Sequence, residues 1–311
     1  MKIEFPKSTD KPRLIELWRE AFGDPEEFIL DFFNLGYSEK RCLIARAEDE
    51  ICAALYWFSV ELFKKPHAYI YGVATARAHR GKGICRALMS KAHEVLASEG
   101  FSGAILVPAE DDLFEFYSKL GYAPGSDICE IEVDLSKKSD DDFGKQERLQ
   151  AQLNGNKNDD NVNCNLLYCG KTEENQAIYK CTAEEYLIKR RDYLPAFGVV
   201  QEGEIIPYLE AQGSFYVGDD FILASRTEGE CLLGLELLGN LSRAQDITSY
   251  LGYKKAVFRT VADSRFCLDE NGNLSLTSCG IKLNRRPFSM YHSLEGDTAP
   301  ERDFYFAFAF D

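Results

Sequence analysis

The chain has 311 residues, 51 of them acidic and 36 basic, giving a formal charge of −15 at pH 7. Apolar residues at 45% and only ten prolines exclude global disorder. The acidic balance argues against general nucleic-acid binding, which needs a basic surface to meet phosphates. No apolar run approaches a membrane span, so no membrane partner is expected. At about 150 residues per domain, the length predicts two domains.

The ten cysteines form no C-x-x-C pair, and the opening MKIEFPKSTDKP has no apolar run suited to a signal peptide. Reduced, mostly buried thiols in a cytoplasmic protein are expected, not a disulfide scaffold. The histidines at 67, 79, 93 and 292 make no zinc-like grouping with them, and no metal is expected.

Residues 3–5 read as a short strand. Thr9 or Asp10 can cap a helix over 11–22, where Leu14, Leu17, Trp18 and Phe22 recur at helical spacing, and Gly23-Asp24-Pro25 stops it. Phe28, Ile29, Phe32 and Phe33 share one side of a second amphipathic segment. Strands follow at 41–47, 51–60 and 68–75, the first two joined by Glu48-Asp49-Glu50. A helix over 83–98 has Ile84, Leu88, Ala92, Val95 and Leu96 as its apolar stripe. A strand over 102–107, a short helix over 111–119 with Gly121 as C-cap, and a strand over 127–135 complete an α/β domain at 1–136.

Residues 137–163, rich in Asp, Asn, Gly and Lys, read as a linker or surface excursion. A second domain is expected over 164–311. Thr182 and Glu185 form a capping box opening a helix to about Tyr193, stopped by Pro195. Strands are expected at 214–218, 221–226, 231–238 and 255–262, and the aromatic run from Asp303 to Asp311 reads as a buried strand. Ser118-Lys119-Leu120-Gly121-Tyr122 is echoed by Ser249-Tyr250-Leu251-Gly252-Tyr253, which suggests a second copy of a related fold.

The stretch Arg80-Gly81-Lys82-Gly83-Ile84-Cys85-Arg86 lies between a strand and a helix. Its glycines allow a tight turn with open backbone N–H groups, and these with the helix N-terminus can hold a phosphate or pyrophosphate. Arg80, Lys82 and Arg86 add positive charge. It is not a Walker A loop, and Arg86 stands where a dinucleotide fingerprint needs its last glycine. Taken alone, the seven residues are equally an ordinary turn with surface charge.

Two motifs together carry a resemblance. One is Arg80-Gly81-Lys82-Gly83-Ile84-Cys85 opening a helix after the fourth strand. The other is Phe116-Tyr117-Ser118-Lys119-Leu120-Gly121-Tyr122 after a further strand. With this element order, residues 1–135 resemble the GNAT superfamily of acyl-CoA-dependent N-acyltransferases. Cys85 departs from that family's usual small residue, and no asparagine stands at Ala109-Glu110-Asp111, where many members carry one. The whole chain looks like members that join an active N-terminal domain to a degenerate second one.

The resemblance implies a mixed, mostly antiparallel sheet with flanking helices, and acetyl-CoA as acyl donor without a metal. Backbone groups of Val73, Ala74 and Thr75 are implied to pair with the pantetheine arm. Gly81 to Arg86 would meet the pyrophosphate. Tyr117 would protonate the departing thiolate. In one multidomain group the terminal carboxylate acts as base, a role that falls here on Asp311. Glu61, Glu130 and Glu132 are alternative water-mediated bases.

The activity expected is acetyl transfer to a primary amine, either a small molecule or a peptide. A non-catalytic acyl-CoA-binding or regulatory protein is the alternative, and an interaction protein that keeps the fold without CoA is a third. In the second half, Arg226 to Cys231 repeats the spacing of Arg80 to Cys85, but Glu228 and Glu230 oppose phosphate binding. At the shared Leu-Gly-Tyr offset Thr248 stands in place of Tyr117, so a second CoA site is not expected.

Overall fold

A computed structural model describes residues 1–137, 167–171, 177–262, 266–268, 274–276, 282–296 and 304–308. The chain begins with β1 (Lys2–Glu4), α1 (Lys11–Phe22), α2 (Glu26–Asp31), β2 (Cys42–Ala47), β3 (Glu50–Leu62) and β4 (Lys65–Thr75). Then come α3 (Ile84–Ser98), β5 (Gly103–Leu106), α4 (Asp112–Ser118), β6 (Ala123–Pro124) and β7 (Asp127–Asp134). Later strands are β8 (Leu167–Lys171), β9 (Ala177–Cys181), β10 (Val200–Gln201), β11 (Ser214–Gly218), β12 (Phe221–Glu228), β13 (Cys231–Gly239) and β14 (Lys255–Val261). The last are β15 (Phe266–Leu268), β16 (Leu274–Leu276), β17 (Lys282–Pro287) and β18 (Met290–Ser293).

These elements form two compact units that alternate along the chain. The first comprises Met1–Asp127, Pro195–Gln212 and Pro287–Asp311; the second comprises Ile128–Leu194 and Gly213–Arg286. The contiguous domains expected at 1–136 and 164–311 differ from this division. Long-range pairing is the reason: β18 joins the first sheet beside β5, and β7 joins the second beside β14. Local patterning says that a segment is a strand, not which sheet receives it.

The first sheet runs β1-β2-β3-β4-β5-β18-β6, with β10 on the far part of β3. Its β4–β5 pairing is parallel and spans only His67–Tyr69 against Gly103–Ile105. Beyond Tyr69 the two strands part. Ala68 and Ile70 pack with Leu88, Met89, Ala92 and Leu96 of α3. Tyr69 and Tyr71 join an aromatic cluster with Phe58, and Tyr71 also meets Phe32 and Tyr208. Strict alternation would put Val73 with Tyr71. Instead Val73 packs with the α3 cluster, because β4 carries a bulge: Tyr71 faces Tyr56 and Ala74 faces Ala54, leaving Gly72 and Val73 opposite Leu55.

The second sheet runs β15-β16-β17-β7-β14-β13-β12-β11-β9-β8. The run β9, helix Ala183–Tyr193, β11, β12, β13, helix Ala244–Tyr250, β14 repeats the run β1, α1, β2, β3, β4, α3, β5. β13 and β14 are parallel, as β4 and β5 are, and β13 also slips register against its neighbour. The fold is therefore two mixed, mostly antiparallel sheets of one kind. Thr182 caps its helix as the sequence predicts, with its side chain accepting from Glu185 N.

Two sequence expectations change. By topology the helix Ala244–Tyr250 matches α3, not α4, so Thr248 is not the counterpart of Tyr117. The echo reflects a shared helix ending. Tyr122 N–H bonds Tyr117 O at 3.1 Å and Tyr253 N–H bonds Thr248 O at 3.0 Å, each across a left-handed glycine. Of the C-terminal run expected as a strand, Phe304–Phe308 are buried, belong to the first unit and form no regular strand, while Asp303 and residues 309–311 lie outside the described residues. Among the described residues of this stretch, only Tyr305 bridges, to Gly198.

Candidate functional site

The site begins where β4 ends. From Ile70 to Thr75 the strand keeps β3 on one edge and has lost β5 on the other. Val73 and Thr75 are half-buried and Ala74 is buried. All three lie on the bulged, one-sided part of the strand, and the Thr75 carbonyl there is taken by Arg80. Gly72, at φ +60°, makes the bulge possible.

The turn follows after a short 3-10 segment, Arg77–His79. Gly81 and Gly83 take φ of +73° and +75°, and a Cβ at either would meet nothing within 4 Å. Their requirement is conformational, and the space over them is open. Gly83 is the N-cap of α3, and the first intrahelical bond runs from Ala87 N to Gly83 O at 3.1 Å. The N–H groups of Ile84, Cys85 and Arg86 therefore precede the helix ladder, at the positive end of its dipole.

The basic side chains divide their work. Arg80 Nε donates to Thr75 O at 3.1 Å and fastens the turn to the end of β4. Arg86 Nη1 donates to Lys119 O at 3.0 Å and fastens it to the end of α4. Lys82 is exposed. Cys85 is half-buried against the α3 cluster, and burial pushes its thiol up to about 11 while Arg86 pulls it down. Its side chain points inward, which leaves its N–H on the turn side.

Tyr117 is buried in the same cluster as Ile70, Leu88 and Leu106. Its ring lies 5.2 Å from Phe116 and 5.8 Å from Tyr122. Burial raises its hydroxyl above the ordinary tyrosine range, with Cys85 adding to the shift. It is therefore a protonated phenol at neutral pH. Tyr122, fully buried below it, shares a 2.9 Å hydrogen bond with His93 Nε2, and His93 stacks on His292 at 4.0 Å.

The carboxylates are less conveniently placed. Asp311 lies outside the described residues. Glu130 and Glu132 belong to the second unit, where they accept from Arg286 and Asn284 of β17 at 2.9 Å each. Glu61 sits near the β3–β4 hairpin, opposite Val200, at the other end of β4 from the turn. Among the described residues no group of His, Cys, Asp and Glu is arranged to hold a metal.

The second unit lacks the corresponding turn. Only Asn240–Arg243 connect β13 to a helix of 7 residues, against Ala76–Gly83 and a helix of 15 in the first unit. The Arg226–Cys231 spacing falls on the β12–β13 hairpin, with Arg226 Nε held by Glu228 at 2.9 Å. Thr248 is fully buried and its hydroxyl donates to Ala244 O at 2.6 Å.

Residues 2–125 match the family model described as an acetyltransferase (GNAT) domain. That stretch is similar to a GNAT acetyltransferase domain and has its fold. Solved structures similar over nearly the whole chain have the same fold. A GCN5-related N-acetyltransferase from Kribbella flavida is 16% identical with a TM-score of 0.59, covering 93% of this chain and 70% of that one. A probable N-acyltransferase from Enterococcus faecalis is 11% identical with a TM-score of 0.61, covering 94% and 72%. Eis1 from Mycobacterium abscessus is 11% identical with a TM-score of 0.60, covering 95% and 74%. No curated protein matches the sequence. The likenesses extend through both units, in keeping with a tandem GNAT-like arrangement.

Sequence reasoning missed what supports this candidate site. Gly72 inside a strand pattern was the available signal for a bulge. The Arg86–Lys119 tether had no signal, because its acceptor is a backbone carbonyl 33 residues away.

Proposed function

We propose that this protein moves an acetyl group from acetyl-CoA to a primary amine, carried by a small molecule or a peptide. The observation that carries the reading is a conjunction: an open, left-handed Gly-x-Gly turn at the N-terminus of α3 stands one short 3-10 segment after a bulged strand that has lost its β5 neighbour beyond Tyr69. The N–H groups of Ile84, Cys85 and Arg86 are suited to the pyrophosphate, with Lys82 as exposed positive charge. The one-sided stretch Val73–Thr75 suits the pantetheine amides, much as an added strand pairs with a sheet edge.

The reaction joins the amine nitrogen to the thioester carbonyl carbon and breaks the carbon–sulfur bond. The departing thiolate needs a proton, and Tyr117 is a phenol kept protonated by burial on the α3 side of β4. The amine's proton goes to water or to a carboxylate. The apolar, aromatic surroundings of β4 favour the neutral amine that attacks, since charge is costly there.

The test is thiol release from acetyl-CoA across a panel of small amines and peptide N-termini, with product masses confirming acetylation. Transfer to at least one amine supports the reading. Tight CoA binding without transfer to any amine supports a binding or regulatory protein instead.

A further inference from the structure

The bulge in β4 is held from the face opposite α3. Gly72 has no room for a side chain: a Cβ there would come within 2.6 Å of Trp18 Cζ3, 2.9 Å of Cη2 and 3.0 Å of Tyr56 Cδ2. The Trp18 indole thus lies flush on the glycine's backbone. Trp18 is 3% exposed, and its ring is boxed by Phe32 at 4.5 Å and by Tyr56 and Tyr71 at 5.6 Å each.

One polar contact sets the rotation of that ring. Trp18 Nε1 donates to Asp24 Oδ2 at 2.7 Å. Asp24 is brought back towards Trp18 by the left-handed C-cap Gly23, at φ +73°, whose N–H closes on Arg19 O. A buried indole N–H needs such an acceptor, and a half-buried carboxylate is a strong one.

We infer that Trp18 and Asp24 are positioning residues for the acyl donor: they press Gly72 into its left-handed conformation and so keep Gly72–Val73 out of the β3 ladder, leaving the pantetheine edge of β4 shaped for its ligand. The inference rests on the CoA reading of this strand and goes beyond it in naming what holds the strand. Glycine at positive φ is one choice among several that glycine makes freely. The indole removes the others by occupying their space. A smaller ring leaves room for Gly72 and Val73 to shift, and the backbone groups offered to pantetheine shift with them.

The experiment is calorimetric titration of the full-length chain with two ligands, CoA and 3′-phosphoadenosine 5′-diphosphate, which keeps the phosphates and lacks pantetheine. In Trp18→Phe the dissociation constant for CoA should rise about fivefold or more, because a preorganised strand becomes a mobile one. Affinity for the nucleotide fragment should stay at the wild-type value. Asp24→Leu should reproduce the split, and Asp24→Asn, which keeps an acceptor oxygen, should retain wild-type CoA affinity.

Equal losses for both ligands would mean general damage and overturn the inference, as would unchanged CoA affinity in Trp18→Phe. If Trp18→Phe fails to fold, Asp24→Leu against Asp24→Asn carries the same decision. Wild-type protein that binds neither ligand would overturn the CoA reading itself, and that result is visible before any variant is made.

Discussion

Arg86 Nη1 lies 3.0 Å from the Lys119 carbonyl oxygen, so one guanidinium links the first turn of α3 to the end of the helix that carries Tyr117. It also places positive charge at the negative end of α4. Lys82, in the same turn, is exposed. The two cations should therefore separate on mutation. Lys82→Ala should weaken CoA binding with little change in turnover at saturation, and its effect should fade at high salt. Arg86→Ala should lower turnover as well, because α4 loses its tether. Equal kinetic signatures for the two variants would show that Arg86 acts as charge alone.

Gly83 offers a cleaner contrast. It sits at φ +75° with nothing near its missing side chain, so substitution costs backbone strain and no clash within the protein. A β-branched residue should lose about 1–2 kcal/mol at such a position. Asparagine tolerates it better. Gly83→Val should weaken CoA binding more than Gly83→Asn, in proteins with matching circular dichroism. Asparagine weakening CoA binding as much as valine, or more, would contradict the strain account.

For Tyr117 the expected change is in rate. Tyr117→Phe removes one hydroxyl and little packing, so turnover should fall by roughly 10–100 fold while CoA affinity holds. Because burial raises the phenol above its ordinary range, wild-type activity should show no loss through mildly alkaline pH from this group. Wild-type turnover in Tyr117→Phe would remove the residue from the mechanism.

His93 supplies a pH dependence of stability. Burial, with His292 stacked beside it, lowers its imidazole from 6.5 to about 3. The folded protein keeps it neutral while the unfolded chain takes a proton. Its contribution is thus present above about 6.5 and lost as pH falls from there towards about 3. The denaturation midpoint should drop between pH 7 and pH 5, and His93→Gln should flatten that drop. An identical slope in the variant would contradict the assignment.

The sequence points to β1–β5 of the first sheet and to β7 and β11–β14 of the second, but not to β8, β9 or β15–β17. Asp10, expected to cap the helix over Lys11–Phe22, makes no side-chain cap bond there; that helix and Ile84–Ser98 follow from apolar spacing, and Ala183–Tyr193 from its Thr182 cap, signals that act within a few residues. The Gly-x-Gly turn was legible for the same reason. What escaped was long-range. Met290–Ser293 is too short and too polar to announce itself, yet it fills the place beside β5. Its fit rests on Gly103, where any Cβ would collide with the Tyr291 ring. The pairing of Tyr71 with Tyr208, hydroxyl to hydroxyl at 2.9 Å, spans 137 residues and leaves no trace in either segment's periodicity. The echo between Tyr122 and Tyr253 misled in the opposite way, since helix endings converge on one hydrogen-bonding pattern whatever the fold around them.

On the proposed reading, the turn Gly81–Arg86 and the exposed edge of β4 together form one acyl-CoA site. Calorimetric titration of the full-length chain with CoA decides it. The account predicts saturation at one CoA per chain, with affinity sharply reduced in Gly83→Val. A folded protein that takes up no CoA, or binds two per chain, or binds equally well after Gly83→Val, would contradict it.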